Sequence, residues 1–494
     1  MRENGVNNSK KVRIYFSRYL EISVLSLSIT LLMGMMDMNR CTQLCFAMTY
    51  YYLDPDYNGK FKDGSAERPW SSLKHVWNVI NGALASDDVT IYFSAREANL
   101  DKDQDYNKAN EYWTGMIELA RTDPSTHRLI LDGKSKYNQN DVSPVWQNNN
   151  TTRRAYIHGA TQAIAGFREK GMQNYVTIKG FRLAPHGGKG TCFSLYFFGG
   201  NHFIFEDNIT RDGFVYFEYA SSGKGTIGNG GCVNIQFRNN DISHARGEGL
   251  YIGGQGNSGG AYHRNIIIAG NRVHGCGTAG GEGDGIDIKD GNKDVSVHHN
   301  EVFNNSACGI VSHSGGKYFN NKVYRNGERG IVIDTYWGVV EAALFFNNVV
   351  FSNRKYGIRL NNVKPSGFRL AEIYNNSCRG NRINYGFSGI ESLVVMNNVS
   401  ADGELLECSV IRVTKIVNDY NNFYGRVEGL VRGRNCKNID PQFVSQEDLR
   451  LRPNSPCLNA GTNVEKVKFD FEGIKRPLGR PSAMGAFEME LSGE

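Results

Sequence analysis

Between residues 200 and 425, short stretches with an apolar side chain at every second position recur at a nearly regular interval, each followed by turn residues. Val295-Ser296-Val297-His298-His299-Asn300 is typical. Period-two alternation predicts half-buried strands, because successive side chains leave opposite faces of an extended chain. An asparagine, often doubled, closes most stretches: Asn208, Asn240, Asn271, Asn300, Asn321, Asn348, Asn376, Asn398 and Asn422, at gaps of 21 to 32 residues. A second series pairs glycine with a branched apolar residue, at Gly249-Leu250, Gly285-Ile286, Gly309-Ile310, Gly330-Ile331 and Gly357-Ile358. Such self-similarity with β patterning predicts a solenoid or a propeller. Propeller blades run to about 40–50 residues, so the shorter repeat predicts a parallel β-helix of stacked coils. The asparagines are expected to be structural, since Asn tolerates a left-handed backbone and its amide can bond the coils above and below.

The flanking regions carry the same theme less regularly. Strands are predicted at Val89 to Phe93, Arg128 to Gly133 and Val176 to Phe181, far enough apart to imply long loops in the first coils. Leu73, Val76, Trp77, Ile80 and Leu84 fit one face of a helix from Ser72 to Leu84. That helix is expected to cap one end of the stack, because the end of a repeat array exposes apolar surface. Segments such as Leu449-Arg450-Leu451, Ser455-Pro456 and Gly485-Ala486-Phe487-Glu488 resemble the ending common in exported β-helix proteins, which implies a closing coil and cap. The expected organisation is all-β: one domain over 48–494, with a capping helix and irregular coils over 48–200, regular coils over 200–425, and a C-terminal coil and cap over 426–494.

Charge bears mainly on address. Lys10, Lys11, Arg13 and Arg18 precede an apolar run from Ile22 to Met36, which at 15 residues is short for a membrane span. Residues 1–47 therefore read as a signal peptide cleaved after Cys45-Phe46-Ala47, the alternative being an uncleaved anchor. The expected location is secreted, periplasmic or cell-surface, with no stable membrane insertion once the signal is removed. Its removal lowers the net charge from +6 to +3, too little and too dispersed to argue for nucleic acid, yet compatible with a basic groove for an acidic polysaccharide. Eight cysteines remain, none in a Cys-x-x-Cys pair, so neither zinc nor a particular disulfide is implied.

The chemistry concentrates in Gly281-Glu282-Gly283-Asp284-Gly285-Ile286-Asp287-Ile288-Lys289-Asp290. Aligning the glycine-led strands places Leu250/Ile252, Ile286/Ile288, Ile310/Ser312, Ile331/Ile333 and Ile358/Leu360 inward. One outward column then reads Tyr251, Asp287, Val311, Val332, Arg359, and a second reads Gly253, Lys289, His313, Asp334, Asn361. With coils about 4.8 Å apart, Lys289 and His313 become direct neighbours, with Asp334 next in the row. Asp287 sits beside Lys289, and Glu282 and Asp284 lie on the turn leading in. Glu248, Tyr251, Asp334 and Arg359 are expected to contact substrate. A solvated polar face is the alternative; it would scatter small polar residues rather than gather charged ones.

These groups suit β-elimination from a uronic acid polymer: the carboxylate's charge is neutralised, a base removes the C5 proton, and an acid assists the leaving oxygen. Lysine serves as base only if its pKa is lowered, whereas nearby carboxylates alone raise it; Ca²⁺ on Glu282, Asp284 and Asp287 would resolve that conflict with oxygen-only ligands. The run Glu282-Gly283-Asp284-Gly285-Ile286-Asp287-Ile288-Lys289 resembles the chondroitinase B/alginate lyase family of right-handed β-helix lyases, over residues 282–338. The resemblance implies Glu282 and Asp284 as Ca²⁺ ligands and Lys289 as base. Where that family carries an arginine acid in the next coil, this chain has Ser312-His313-Ser314-Gly315, so His313 takes its place. The broader resemblance, to pectate-lyase-like right-handed parallel β-helices, covers about 170–425. A glycoside hydrolase using Asp287 with Asp334 or with Glu248, and a non-catalytic carbohydrate-binding β-helix, remain as alternatives.

Overall fold

The structure is a computed structural model that describes residues 48–489, apart from 55–56, 95–112, 115, 134–155, 159–163, 170–172, 185–192, 198, 218–230, 254–262, 279–281, 336–338, 363–366 and 478–480. The predicted signal peptide lies outside the described residues. Among the described residues no helix is long and apolar enough to cross a membrane.

The strands form three long sheets in which every named pairing is parallel. Sheet I runs from Met48–Leu53 to Lys415–Asp419, sheet II from Trp113–Thr114 to Asn422–Tyr424, and sheet III from Met116–Leu119 to Val427–Glu428. Successive turns of the chain add one strand to each sheet, as the repeat predicted. Inward positions stack like on like: Ile235 pairs with Ile266 and Ile266 with Val295, each at most 1% exposed. The glycine of the second series is a packing requirement. A Cβ at Gly285 would lie 2.7 Å from the Gly309 carbonyl oxygen, and one at Gly309 would lie 2.8 Å from that of Gly330.

The asparagine series is a continuous buried ladder. Asn300 Nδ2 donates to Asn321 Oδ1 at 3.0 Å and to the Ile268 carbonyl at 2.9 Å, and Asn321 repeats the pattern with Asn348 and Val297. The left-handed residue is the one before each ladder position, as at His299 (φ 56°), Asn320 (φ 53°) and Asn347 (φ 53°). That explains the doubling, since Asn tolerates positive φ better than most residues. The series ends on Asn421, which accepts from Asn398, rather than on the expected Asn422. A second ladder, Asn305–Asn326–Asn353–Asn381, follows five residues behind the first.

The ends depart from expectation. The helix is Trp77–Leu84 rather than 72–84; the Ser72 hydroxyl accepts from Lys74 N–H, a local bond that favours a turn over another helical turn. Ile80 and Leu84 are nevertheless fully buried in the same core as the first coils. At the other end, chain up to Lys437 closes the stack through Asn421 and Asn422. The remainder is not a terminal cap but a strap along the outside of sheet II. Phe443, Leu449, Leu451, Cys457, Met484 and Phe487 pack on the outward Val349, Phe351, Val399 and Ala401. Asn347, Asn375 and Asn397 donate to the strap carbonyls of Phe469, Ala483 and Thr462. All seven described cysteines are free thiols.

Candidate functional site

The site lies on sheet III, on strands Leu250–Ile252, Ile286–Ile288, Ile310–Ser312, Arg329–Thr335 and Tyr356–Asn362. Their pairing reproduces the expected column: Tyr251 pairs with Asp287, Asp287 with Val311, Val311 with Val332, and Val332 with Arg359. Lys289 N–H donates to the Ile252 carbonyl and His313 N–H to the Ile288 carbonyl, so the two residues occupy equivalent places on adjacent coils. The Lys289 carbonyl accepts from Asn292 Nδ2 and Ser314 Oγ, both at 2.9 Å, which pins the residue at the strand's end.

The middle of the outward column is not solvated, whereas Tyr251 and Arg359 at its ends are half-buried. Asp287 and Val332 are completely buried, and Val311 nearly so. Cys308, Val311 and Val332 form a small apolar cluster of their own, so two coils of this wall are covered. Lys289 lies over Asp287 with its Nζ 2.5 Å from Oδ2, and the same ammonium stands 5.3 Å from the centroid of the Tyr251 ring. Asp287 Oδ1 is buried and takes no hydrogen bond from the described residues.

The acidic residues divide differently from expectation. Carboxylate oxygens of Glu248, Glu282 and Asp287 all lie within 4.8 Å of one another. Asp284 is not among them: its Oδ1 accepts from Cys308 N–H at 2.7 Å. It serves the corner of the next coil, and Glu248, expected to touch substrate, occupies the third place in the cluster. Three oxygen donors, one of them on a buried carboxylate with an unsatisfied oxygen, suit a hard cation such as Ca²⁺.

Burial, then the neighbouring Asp287, raises the Asp284 carboxyl to about 7. Burial likewise raises Asp287, though Lys289 and then His313 oppose it, and burial followed by Asp287 raises Glu248. For Lys289 burial acts downward, but Asp287, Glu282 and Glu248 outweigh it and the ammonium is held above its usual range. A carboxyl that keeps its proton to higher pH in the folded state withdraws stability as pH rises from about 4 through about 7, and no further above that. Asp284→Asn keeps an acceptor for Cys308 N–H and removes this loss. Its Tm is therefore expected to exceed the wild-type value by about 2–5 °C at pH 8 and to converge with it near pH 4; parallel curves across that range would contradict the assignment.

His313 donates from Nδ1 to the Asp334 carbonyl oxygen at 2.6 Å, which orients the ring with Nε2 as its second nitrogen. Asp334 joins the row through this backbone contact. Its side chain is buried and paired with Arg329 Nη1 at 3.2 Å, so it is not presented to a substrate as expected. Arg329, which sequence reading assigned no role, is thus the cation of this coil. Arg359 follows Asp287 by three coils, about 14 Å along the axis, and stacks over Tyr356 with its Cζ 4.7 Å from the ring centroid. It is not brought to Lys289.

The family described as a right-handed β-helix region matches residues 165–362. The protein is a right-handed parallel β-helix. No curated protein sequence matches it. Among solved structures, this β-helix is similar to pectate lyase Pel9A, at 15% identity over 90% of this chain and 97% of the other, with a TM-score of 0.46. It is similar to XylC solved with xylose, at 12% identity over 90% and 99%, with a TM-score of 0.46. A third is the A-module of mannuronan C-5 epimerase AlgE6 from Azotobacter vinelandii, at 14% identity over 74% and 91%, with a TM-score of 0.34.

Proposed function

We propose that this β-helix is an exported lyase that cleaves a uronate-containing polysaccharide by β-elimination on sheet III, with Lys289 as base and His313 as acid. The observation that carries the reading is the convergence of three parts on adjacent coils. Lys289 is clamped by its backbone, the oxygens of Glu248, Glu282 and Asp287 lie within 4.8 Å of one another beside it, and His313 stands one coil away with Nδ1 bonded to a carbonyl. The Lys289 amine takes the C5 proton, the electron pair forms the C4–C5 double bond, and the glycosidic oxygen leaves with a proton from His313 Nε2. Water is not consumed. Glu248, Glu282 and Asp287 would hold Ca²⁺, which supplies neutralisation of the uronate carboxylate and of the acidic cluster itself. Without such neutralisation the carboxylates keep Lys289 protonated.

One observation favours a second reading. Glu248 and Asp287 approach each other closely enough for a retaining glycosidase, whose carboxylates stand about 5–5.5 Å apart. Alginate, pectate, chondroitin sulfate and dermatan sulfate, followed in the ultraviolet with and without chelator, separate the two. The lyase reading expects absorbance to grow on one of them, to stop with chelator and to return with Ca²⁺. New reducing ends without absorbance would support the glycosidase, and no cleavage of any would overturn both readings for these substrates.

A further inference from the structure

The same wall continues beyond the acidic cluster toward the N-terminal coils, and its outward column there is aromatic. Tyr196 pairs with Tyr216, Tyr216 with Tyr251, and Tyr251 with Asp287. The rings stack, Tyr196 on Tyr216 at 5.5 Å and 25°, and Tyr216 on Tyr251 at 4.8 Å and 5°. Phe193 meets Tyr216 and Phe214 edge-on, at 5.4 and 5.7 Å. All five side chains are half-buried. Lys289 Nζ stands at the last ring of the stack, so the column and the acidic cluster form one continuous surface.

An aromatic column is not by itself a binding surface in this fold. On sheet II, His274, Phe303, Tyr324 and Phe351 stack at nearly the same spacing, but that wall carries the C-terminal strap, which buries Phe351 and packs on Tyr324. The tyrosine column lies on a different sheet from the strap and is continuous with the candidate site. Its chemistry also selects a ligand. Stacking occupies ring faces with neighbouring rings, so what the column turns outward is ring edges, the positive pole of the aromatic quadrupole, together with phenolic oxygens. That surface suits a chain of hydroxyl and carboxylate groups better than an apolar one. One ring per coil spaces these groups about 4.8 Å apart, an interval comparable to the length of one pyranose unit.

We propose that Tyr196, Tyr216 and Tyr251 form a track that binds successive units of an acidic polysaccharide, extending from the Lys289 centre toward the N-terminal coils. The proposal rests on the reading above for where the glycan is cut, but its test is binding, not cleavage. In the full-length Lys289→Ala protein, binding of a disaccharide and of an octasaccharide from alginate and from pectate is measured by calorimetry. The second substitution is Tyr196→Ala, or Tyr216→Phe, which keeps the stack and removes one hydroxyl. Each is expected to weaken octasaccharide binding roughly tenfold and to leave the disaccharide unchanged. Equal affinity for both lengths in parent and variants would overturn the track while leaving the lyase reading intact. Failure of the parent to bind any of these glycans would also overturn it, and the ultraviolet assay on the wild type then decides the lyase reading separately.

Discussion

Lys289→Ala is expected to lower kcat on the cleaved polysaccharide by roughly 100- to 10,000-fold, the usual contribution of a positioned general base. The loss should come from chemistry and not from collapse of the strand, because the Lys289 backbone is held by Asn292, Ser314 and Ile252, none of which involves the ammonium. Removing the ammonium does leave Asp287 buried without its ion-pair partner, a change that costs about 3–5 kcal/mol when a buried pair is broken from one side. Lys289→Arg separates the two effects. It keeps a cation over Asp287 but cannot give up its proton at working pH, so it should fold like the wild type and be as inactive as the alanine variant. If Lys289→Arg retains more than about a tenth of the activity, the residue acts by charge and not as a base. In the wild type, activity should rise with pH, since the carboxylates hold Lys289 protonated, and added Ca²⁺ should move that rise to lower pH.

Asn321→Ala should produce the largest loss of stability from a single side chain away from the site. Asn321 Oδ1 accepts from both the backbone N–H and the Nδ2 of Asn300, at 3.2 and 3.0 Å, and its Nδ2 donates to Val297 O and Asn348 Oδ1. Truncation leaves the Val297 carbonyl and the Asn300 backbone N–H buried without this partner, each at about 1–3 kcal/mol, for a total of roughly 2–6 kcal/mol, while Asn300 Nδ2 keeps the Ile268 carbonyl. The urea midpoint should fall accordingly with the slope unchanged. Glu341→Ala provides the contrast. Its partner Arg369 and it are both well exposed, so the change should stay within about 0.5 kcal/mol. Equal effects at the two positions would mean that the ladder contributes no more than a surface pair.

The regular coils were legible because two independent periodicities agree: apolar alternation sets which side faces in, and the glycine–branched pairs set the register. The expected Tyr251–Asp287–Val311–Val332–Arg359 column is therefore the observed one. The depth of that column was less legible, although Val311 and Val332 on its outward side already signalled a covered wall, and the burial of Asp287 follows from them. Corner residues escaped for a different reason. Alternation fixes side-chain direction only within a strand, and Asp284 and Glu248 lie just outside theirs, where bonds to neighbouring coils decide. Hence Asp284 turned to Cys308 N–H while Glu248 joined Glu282 and Asp287. The second asparagine ladder was readable, at five residues behind the first, but sits in short turns where isolated asparagines are unremarked. The strap was not readable, because its contacts cross more than a hundred residues, as from Asn347 to Phe469, and follow no repeat.

The central claim is that Lys289 and its neighbours break a glycosidic bond by elimination. Digestion of the responsive polysaccharide in heavy-oxygen water, followed by mass spectrometry of the fragments, tests it most directly. The expected result is fragments whose new non-reducing ends are one water lighter than hydrolysis would leave, with no heavy oxygen incorporated during cleavage, and fragment release from Lys289→Ala slowed at least ~100-fold. Heavy oxygen entering at each cleaved bond, with saturated ends, would contradict it.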